Sequence, residues 1–359
     1  MGRRSLALIS AALLIVSACG GTTAPVPAAQ TAAPTKPPRA TVNVSIGSAA
    51  SLLYLSWDLA AALGYFEDEN IDVKLTYQAG GTQAATALLS GSADFAGNSL
   101  DHSIKAQLQG KPTKMVVSFA RQPGVAIVVR NDLKDKVKTI SDLKGQTVGA
   151  TSIGSGTHLL LTYAMVQNGM QQDKDYKFAA IGSSTMIAAL DKGDVGAAMN
   201  SDPFVTQYVA LGKGFVLPGG DFRAEKDTKA LLGGDYQFTG AVTTAEYIQK
   251  NPDVVQRVVN ALVRANRYLA ANPAATIAGK LPESVTGKDK ELYVKTLDAA
   301  KGYLSADGIV DPKGVENVLK VNVESCKVNP ATLCGNVKPT DKVDTAALYD
   351  NSFAQKVKK

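Results

Sequence analysis

The stretch Gly80 to Ser99, GGTQAATALLSGSADFAGNS, recurs in altered form 102 positions later as Gly182 to Ser201, GSSTMIAALDKGDVGAAMNS. The two align without a gap, and seven of their twenty positions are identical: Gly80/Gly182, Ala87/Ala189, Leu88/Leu190, Gly91/Gly193, Ala96/Ala198, Asn98/Asn200 and Ser99/Ser201. Each copy reads as a small-residue loop, an amphipathic helix and a short apolar strand running into Asn-Ser. Similar elements precede each copy. Before the first come a strand pattern at Val42 to Ile46, a Gly/Ser/Ala loop, a helix pattern from Leu52 to Leu63 and a strand at Ile71 to Tyr77. Before the second come Thr147 to Thr151, the loop Ser152 to Thr157, the helix pattern His158 to Gln167 and Lys177 to Ala180. Strands alternating with helices, given twice, predict an α/β fold of two like lobes, each with a mostly parallel sheet flanked by helices.

Composition agrees with a folded, ligand-handling chain. Hydrophobic residues are 45% of the 359 and charged residues 19%, which excludes wholesale disorder and fibrous repeats. Lys and Arg exceed Asp and Glu by 38 to 32, with no basic block interleaved with aromatics, so no nucleic-acid partner is expected. At the N-terminus, Arg3 and Arg4 precede an apolar run from Leu6 to Val16, and Ser17, Ala18 and Cys19 follow. The pattern is that of a signal peptide over residues 1–18 and resembles a bacterial lipobox, which would place a lipid on Cys19. The Pro/Ala/Thr-rich residues up to 41 then form a tether too poor in periodic apolar residues to pack. Of three cysteines, Cys326 and Cys334 remain, and in an extracytoplasmic setting they most simply form a disulfide closing a small loop. No metal or cofactor is expected from so few cysteines and two histidines.

In an open α/β sheet, ligands meet the carboxyl ends of the strands, where helix N-termini present unpaired N–H groups. The junctions that reach that edge carry Ser48, Ser51 and Tyr54; Gly81 and Thr82; and Asn98, Ser99 and Asp101. The second lobe offers Ser152, Ser155, Gly156 and Thr157; Ser184 and Thr185; and Asn200 and Asp202. A serine at a helix start also serves as its cap, so the clustering on both lobes carries the expectation of a ligand cleft. Trp57, one turn after Tyr54, reads as core, and His158 as a surface or capping residue.

Several runs resemble one family. Leu63-Gly64-Tyr65-Phe66-Glu67, Asn70-Ile71-Asp72-Val73, Leu88 to Ala96, Asp142 to Gly149, Asp202-Pro203 and Leu348 to Phe353 look like the type II periplasmic binding proteins of the nitrate, taurine and thiamine-precursor group. The resemblance implies the two-lobe periplasmic binding protein type II fold with two hinge crossings. Lobe I would hold residues 42–121 and 240–359, and lobe II residues 122–239. It further implies a monomeric, lipid-anchored protein outside the cell membrane. That protein would capture a small organic molecule or oxyanion and deliver it to an ABC permease and ATPase complex. Asp101 and Asp202 would repel a simple anion if they face the cleft, and Arg121 near the first crossing would attract one. The alternative is a pyrimidine-synthase-like enzyme of the same fold. The cysteine cluster such relatives carry is lacking here, and no catalytic residue or cofactor is expected.

Overall fold

Alternation of apolar and small residues sets the strands of the computed structural model, which describes residues 37–328 and 342–358. One sheet comprises β1 (Ala40–Ile46), β2 (Ile71–Tyr77), β3 (Phe95–Ser99), β4 (Thr113–Ser118) and β10 (Thr239–Thr244), in the order β2-β1-β3-β10-β4. The other comprises β5 (Val125–Arg130), β6 (Thr147–Ala150), β7 (Lys177–Ala180), β8 (Ala197–Ser201) and β9 (Gly214–Asp221), in the order β7-β6-β8-β5-β9. The orders are equivalent position by position, and β3 and β8 fall at the 102-residue offset of the repeat.

Both sheets are mostly parallel, as expected, and are made mixed by one reversed strand in each. β1 runs parallel to β2 and β3, and β6 parallel to β7 and β8. β10 is antiparallel to β3 and β4, and β5 to β8 and β9. The cause lies in the crossings. β5 and β10 are the first strands after the chain changes sheet, and each starts where a neighbour ends: Thr239 pairs with Ser99, and Val125 with Ser201. Entering from the shared edge, they run away from it while their neighbours run toward it.

Helices cover the sheets: α1 (Leu55–Ala62), α2 (Tyr65–Asp68), α3 (Gly81–Leu89), α4 (Asp101–Leu108), α5 (Gly156–Gln167), α6 (Met186–Lys192), α7 (Phe204–Ala210), α8 (Glu225–Leu232), α9 (Ala245–Lys250) and α10 (Pro252–Ala271). α10 starts on proline, whose fixed φ suits the first turn. It buries Val255, Val258, Val259, Leu262 and Leu269 at helical spacing, each such side chain stabilising the fold by about 1.5–3 kcal/mol. Arg257 on the same face is buried, and its guanidinium donates to the carbonyls of Pro38, Glu69 and Asn70 and to Asp253. Trp57 is core, stacked on Phe66 at 5.9 Å and edge-on to Phe95 and Phe119.

No helix among the described residues is long and apolar enough to cross a membrane. Cys326 is buried in the helix Pro312–Val328. The signal peptide, Cys19 and Cys334 lie outside the described residues.

Candidate functional site

The loops that follow the parallel strands meet between the two sheets. Ser48, Ser51, Leu53, Tyr54, Gly81 and Ser99 line one side of a cavity, Thr151, Ser155, Gly156, Thr157, Ser183, Asn200 and Ser201 the other, with Gly47 and Phe238 completing it. Its volume is about 30 Å³, so the lobes are drawn together.

Direct bonds hold them so. Ser51 Oγ and Ser201 Oγ lie 2.8 Å apart, and the Asp202 carbonyl accepts from Leu52 N at 2.9 Å. At the mouth, Thr82 Oγ1 donates to the Ile153 carbonyl at 2.8 Å, and the Ser152 hydroxyl reaches Thr82 Oγ1 at 3.3 Å. Lys105 Nζ donates to the Gly154 carbonyl at 2.7 Å, and Ser183 N to the Ala79 carbonyl at 3.3 Å.

The repeat reappears as a repeated hydrogen-bond pattern. Asn98 Nδ2 donates to the Gly81 carbonyl at 3.0 Å, while its Oδ1 accepts from Ser99 N at 2.9 Å. Asn200 Nδ2 donates to the Ser183 carbonyl at 2.9 Å, while its Oδ1 accepts from Ser201 N at 2.8 Å. Each amide therefore pins the loop before a rim helix to the end of the strand that follows that helix.

A family model described as NMT1/THI5 like matches residues 57–276, which run from α1 through α10 and hold both rims from Gly81 to Phe238. The chain belongs to the NMT1/THI5-like family. The riboflavin-binding protein RibY of Chloroflexus aurantiacus is 28% identical over 286 residues, 76% of each chain. A 4-amino-5-hydroxymethyl-2-methylpyrimidine phosphate synthase of Aspergillus parasiticus is 25% identical over 224 residues, 60% of this chain and 63% of that one. A solved structure from Bordetella bronchiseptica superposes with a TM-score of 0.80 at 27% identity, covering 89% of this chain and 97% of the other. The periplasmic nitrate-binding protein NrtA of Synechocystis gives 0.64 at 16% identity, covering 82% and 83%. The two-lobe α/β architecture is thus the periplasmic binding protein fold.

Against this NMT1/THI5-like frame, several rim residues have other occupations. Ser184 and Thr185 are exposed, and the Thr185 hydroxyl donates to the Ile181 carbonyl one turn back, which turns both away from the cavity. Thr82 and Ser152 meet at the mouth, outside the lining. The Asn98 side chain is consumed by its loop. Asp202 also turns away: Arg223 Nη1 contacts its carboxylate at 3.1 and 3.2 Å, and Thr206 donates to it through N and Oγ1. Arg121 pairs with Asp307 at 2.6 Å on exposed surface. Ser155 caps α5, accepting from His158 N while its own hydroxyl donates to the Ser152 carbonyl.

Gly47, Leu53, Thr151 and Phe238 were not expected at the site, whereas Ser183 and Ser201 lie in the stretches Ser183 to Thr185 and Asn200 to Asp202 that the sequence placed on the second rim. Ser183 and Ser201 are the repeat equivalents of Gly81 and Ser99, so the 102-residue offset already pointed to them.

His158 is wholly buried, so of the expected surface or capping positions it does not take the first. Its Nδ1 accepts from Gly154 N at 3.0 Å, Nε2 meets Gln172 Oε1 at 3.1 Å, and the ring stacks on Phe178. Burial pushes both His158 and His102 down to about 4. Both rings are therefore neutral in the folded chain at pH 7, and the unfolded chain takes protons near 6.5 that the folded one refuses. Their contribution is complete above 6.5 and lost as pH falls toward 4. Asp58 works in the opposite direction. Burial raises it to about 6, against the hydrogen bond from Tyr77, so its contribution is present in acid and lost as pH rises through that value. Two histidines outweigh one aspartate, and the urea unfolding midpoint is expected to be lower at pH 4.5 than at pH 7. An equal or higher midpoint at pH 4.5 would show that the rings are protonated in the folded state.

Proposed function

We propose that this chain is the solute-binding component of an ABC importer. It would be held outside the cell membrane by a lipid on Cys19 and a flexible tether, with Cys326 and Cys334 joined in a disulfide. Acting as a monomer, with lobe I spanning 42–121 and 240–359 and lobe II 122–239, it takes a small organic molecule or oxyanion into the cleft and delivers it to the permease. The observation that carries this reading is the set of direct bonds that close two hydroxyl-rich rims around one cavity. A site built from both lobes binds best when closed, and ligand shifts the population toward that state by its differential affinity. The name of the riboflavin-binding relative supports a small-molecule ligand. Ser48, Ser51, Tyr54, Gly81, Ser99 and Thr157, together with the N–H groups of Gly156 and its neighbours, are the contacts we propose.

A thermal-shift screen with nitrate, methanesulfonate, taurine, riboflavin and 4-amino-5-hydroxymethyl-2-methylpyrimidine tests the reading. A ligand present at about 100 times its dissociation constant is expected to add about 2.7 kcal/mol. Stabilisation without chemical change of the compound is the expected result. Turnover of any of these compounds would instead favour an enzyme.

A further inference from the structure

At the mouth of the cleft, a turn of one lobe is held by two donors of the other. Ile153 and Gly154 offer successive backbone carbonyls; Thr82 Oγ1 donates to the first at 2.8 Å and Lys105 Nζ to the second at 2.7 Å. The turn is closed by Ser155 N donating to the Ser152 carbonyl at 3.1 Å, and Gly154 takes φ +73° at its third position, the left-handed region that glycine enters freely. It is also braced from its own side: Gly154 N donates to His158 Nδ1 at 3.0 Å, and the Ser155 hydroxyl to the Ser152 carbonyl at 2.7 Å. The two acceptors are therefore fixed before the lobes meet, which leaves little ordering cost for the contact itself.

Lys105 brings a charge to this contact. It stands one turn into α4 with its side chain 13% exposed, and the Asp101 carboxylate at 3.5 Å offsets the cost of burying the ammonium. An ammonium donating to a carbonyl makes a charge-assisted bond, about twice as strong as the neutral one from Thr82. Both bonds join protein to protein. They stabilise the closed cleft whether it is empty or loaded, unlike contacts made to a ligand.

We propose that Lys105 latches the cleft shut: its bond to Gly154 sets how often the lobes part, and so gates entry and exit alike. The latch needs only the two lobes; its consequence for capture rests on the solute-binding reading. Two backbone bonds elsewhere across the cleft report each opening, Leu52 N to the Asp202 carbonyl at 2.9 Å and Ser183 N to the Ala79 carbonyl at 3.3 Å. Their N–H groups exchange with deuterated water when the lobes part, whereas those inside α10 wait for lobe I to unfold. Hydrogen–deuterium exchange on the unliganded full chain, resolved to single amides, tests the proposal. Lys105→Met keeps the length of the side chain without its charge. It is expected to speed exchange at Leu52 and Ser183 by about 10- to 100-fold, the worth of a hydrogen bond to a charged group, with α10 unchanged. Thr82→Val should speed the same two amides by about 2- to 10-fold, as the loss of a neutral bond does. Lys105→Gln takes the place of Lys105→Met if that variant does not fold. Exchange at Leu52 and Ser183 that stays as in the natural chain when Lys105 is replaced, or that rises only in step with α10, overturns the proposal. No ligand takes part, so a failed latch leaves the importer reading standing, and a chain that captures none of the screened compounds leaves the latch standing.

Discussion

Gly80→Val with Gly156→Val is expected to abolish ligand capture while the unliganded chain stays folded. The two glycines face each other's lobes. A Cβ on Gly80 would stand 2.4 Å from Ser152 Oγ and 2.8 Å from Ser152 Cβ. One on Gly156 would stand 2.7 Å from Ser99 Oγ, 2.8 Å from the Phe238 ring and 3.0 Å from Asp101 Oδ1. Neither glycine has the left-handed backbone that would itself strain a side chain: Gly80 is extended at φ −171°, and Gly156 opens a helix. The added atoms therefore collide mainly with the opposite lobe, and opening the cleft relieves the clash. Overpacking costs about 1–3 kcal/mol per site when it cannot relax. Charged to the closed state alone, that cost lowers the competent population, and affinity should fall by about 100-fold or more for the pair. Calorimetry reads the affinity, and thermal unfolding without ligand reads the fold. Unchanged affinity would mean that the ligand does not require these rims to meet.

The two-lobe plan was legible because it is written in small residues at a fixed offset, and small residues are what a strand end needs where two lobes approach. The direction of β5 and β10 was not legible. Apolar alternation is the same in either direction, and only the crossing point decides it. The composition of the rims was also readable, but not the duty of each hydroxyl. Thr185 and Ser155 differ in exposure because one side chain bonds back along its own turn while the other seals a loop. That depends on local backbone angles, which the residue type leaves open. Asp202 shows the same limit at longer range. Its carboxylate is claimed by Arg223, which stands after β9 and reaches back to it, and a sequence with one arginine among many gives no sign of that pairing. Asp101, two residues after the other Asn-Ser pair, is met instead by Lys105 one turn along its own helix. Two residues of one type at equivalent ends of a repeat thus came to different uses.

Asn98→Ala with Asn200→Ala is expected to cost substantial stability as well as binding. The spacing suggested that these amides face ligand; in the structure both side-chain ends are occupied by backbone. Asn98 and Asn200 are 2% and 1% exposed. Alanine would leave the Gly81 and Ser183 carbonyls short of a donor and the Ser99 and Ser201 N–H groups short of an acceptor. Each buried group left unpaired costs about 1–3 kcal/mol. The two pins share no partner, so the losses at the four groups should add, to about 4–12 kcal/mol as an upper range for the pair. Differential scanning calorimetry on the two single variants and the double tests this. The expected result is two similar decreases and a double decrease near their sum, since the bonds match to within 0.1 Å in the two lobes. Binding should weaken along with stability, because each pin holds a cavity-lining residue, Gly81 or Ser183, in register with the next strand end. A double variant of unchanged stability and lost affinity would instead assign the amides to the ligand. That outcome would require each side chain to leave its loop when ligand enters.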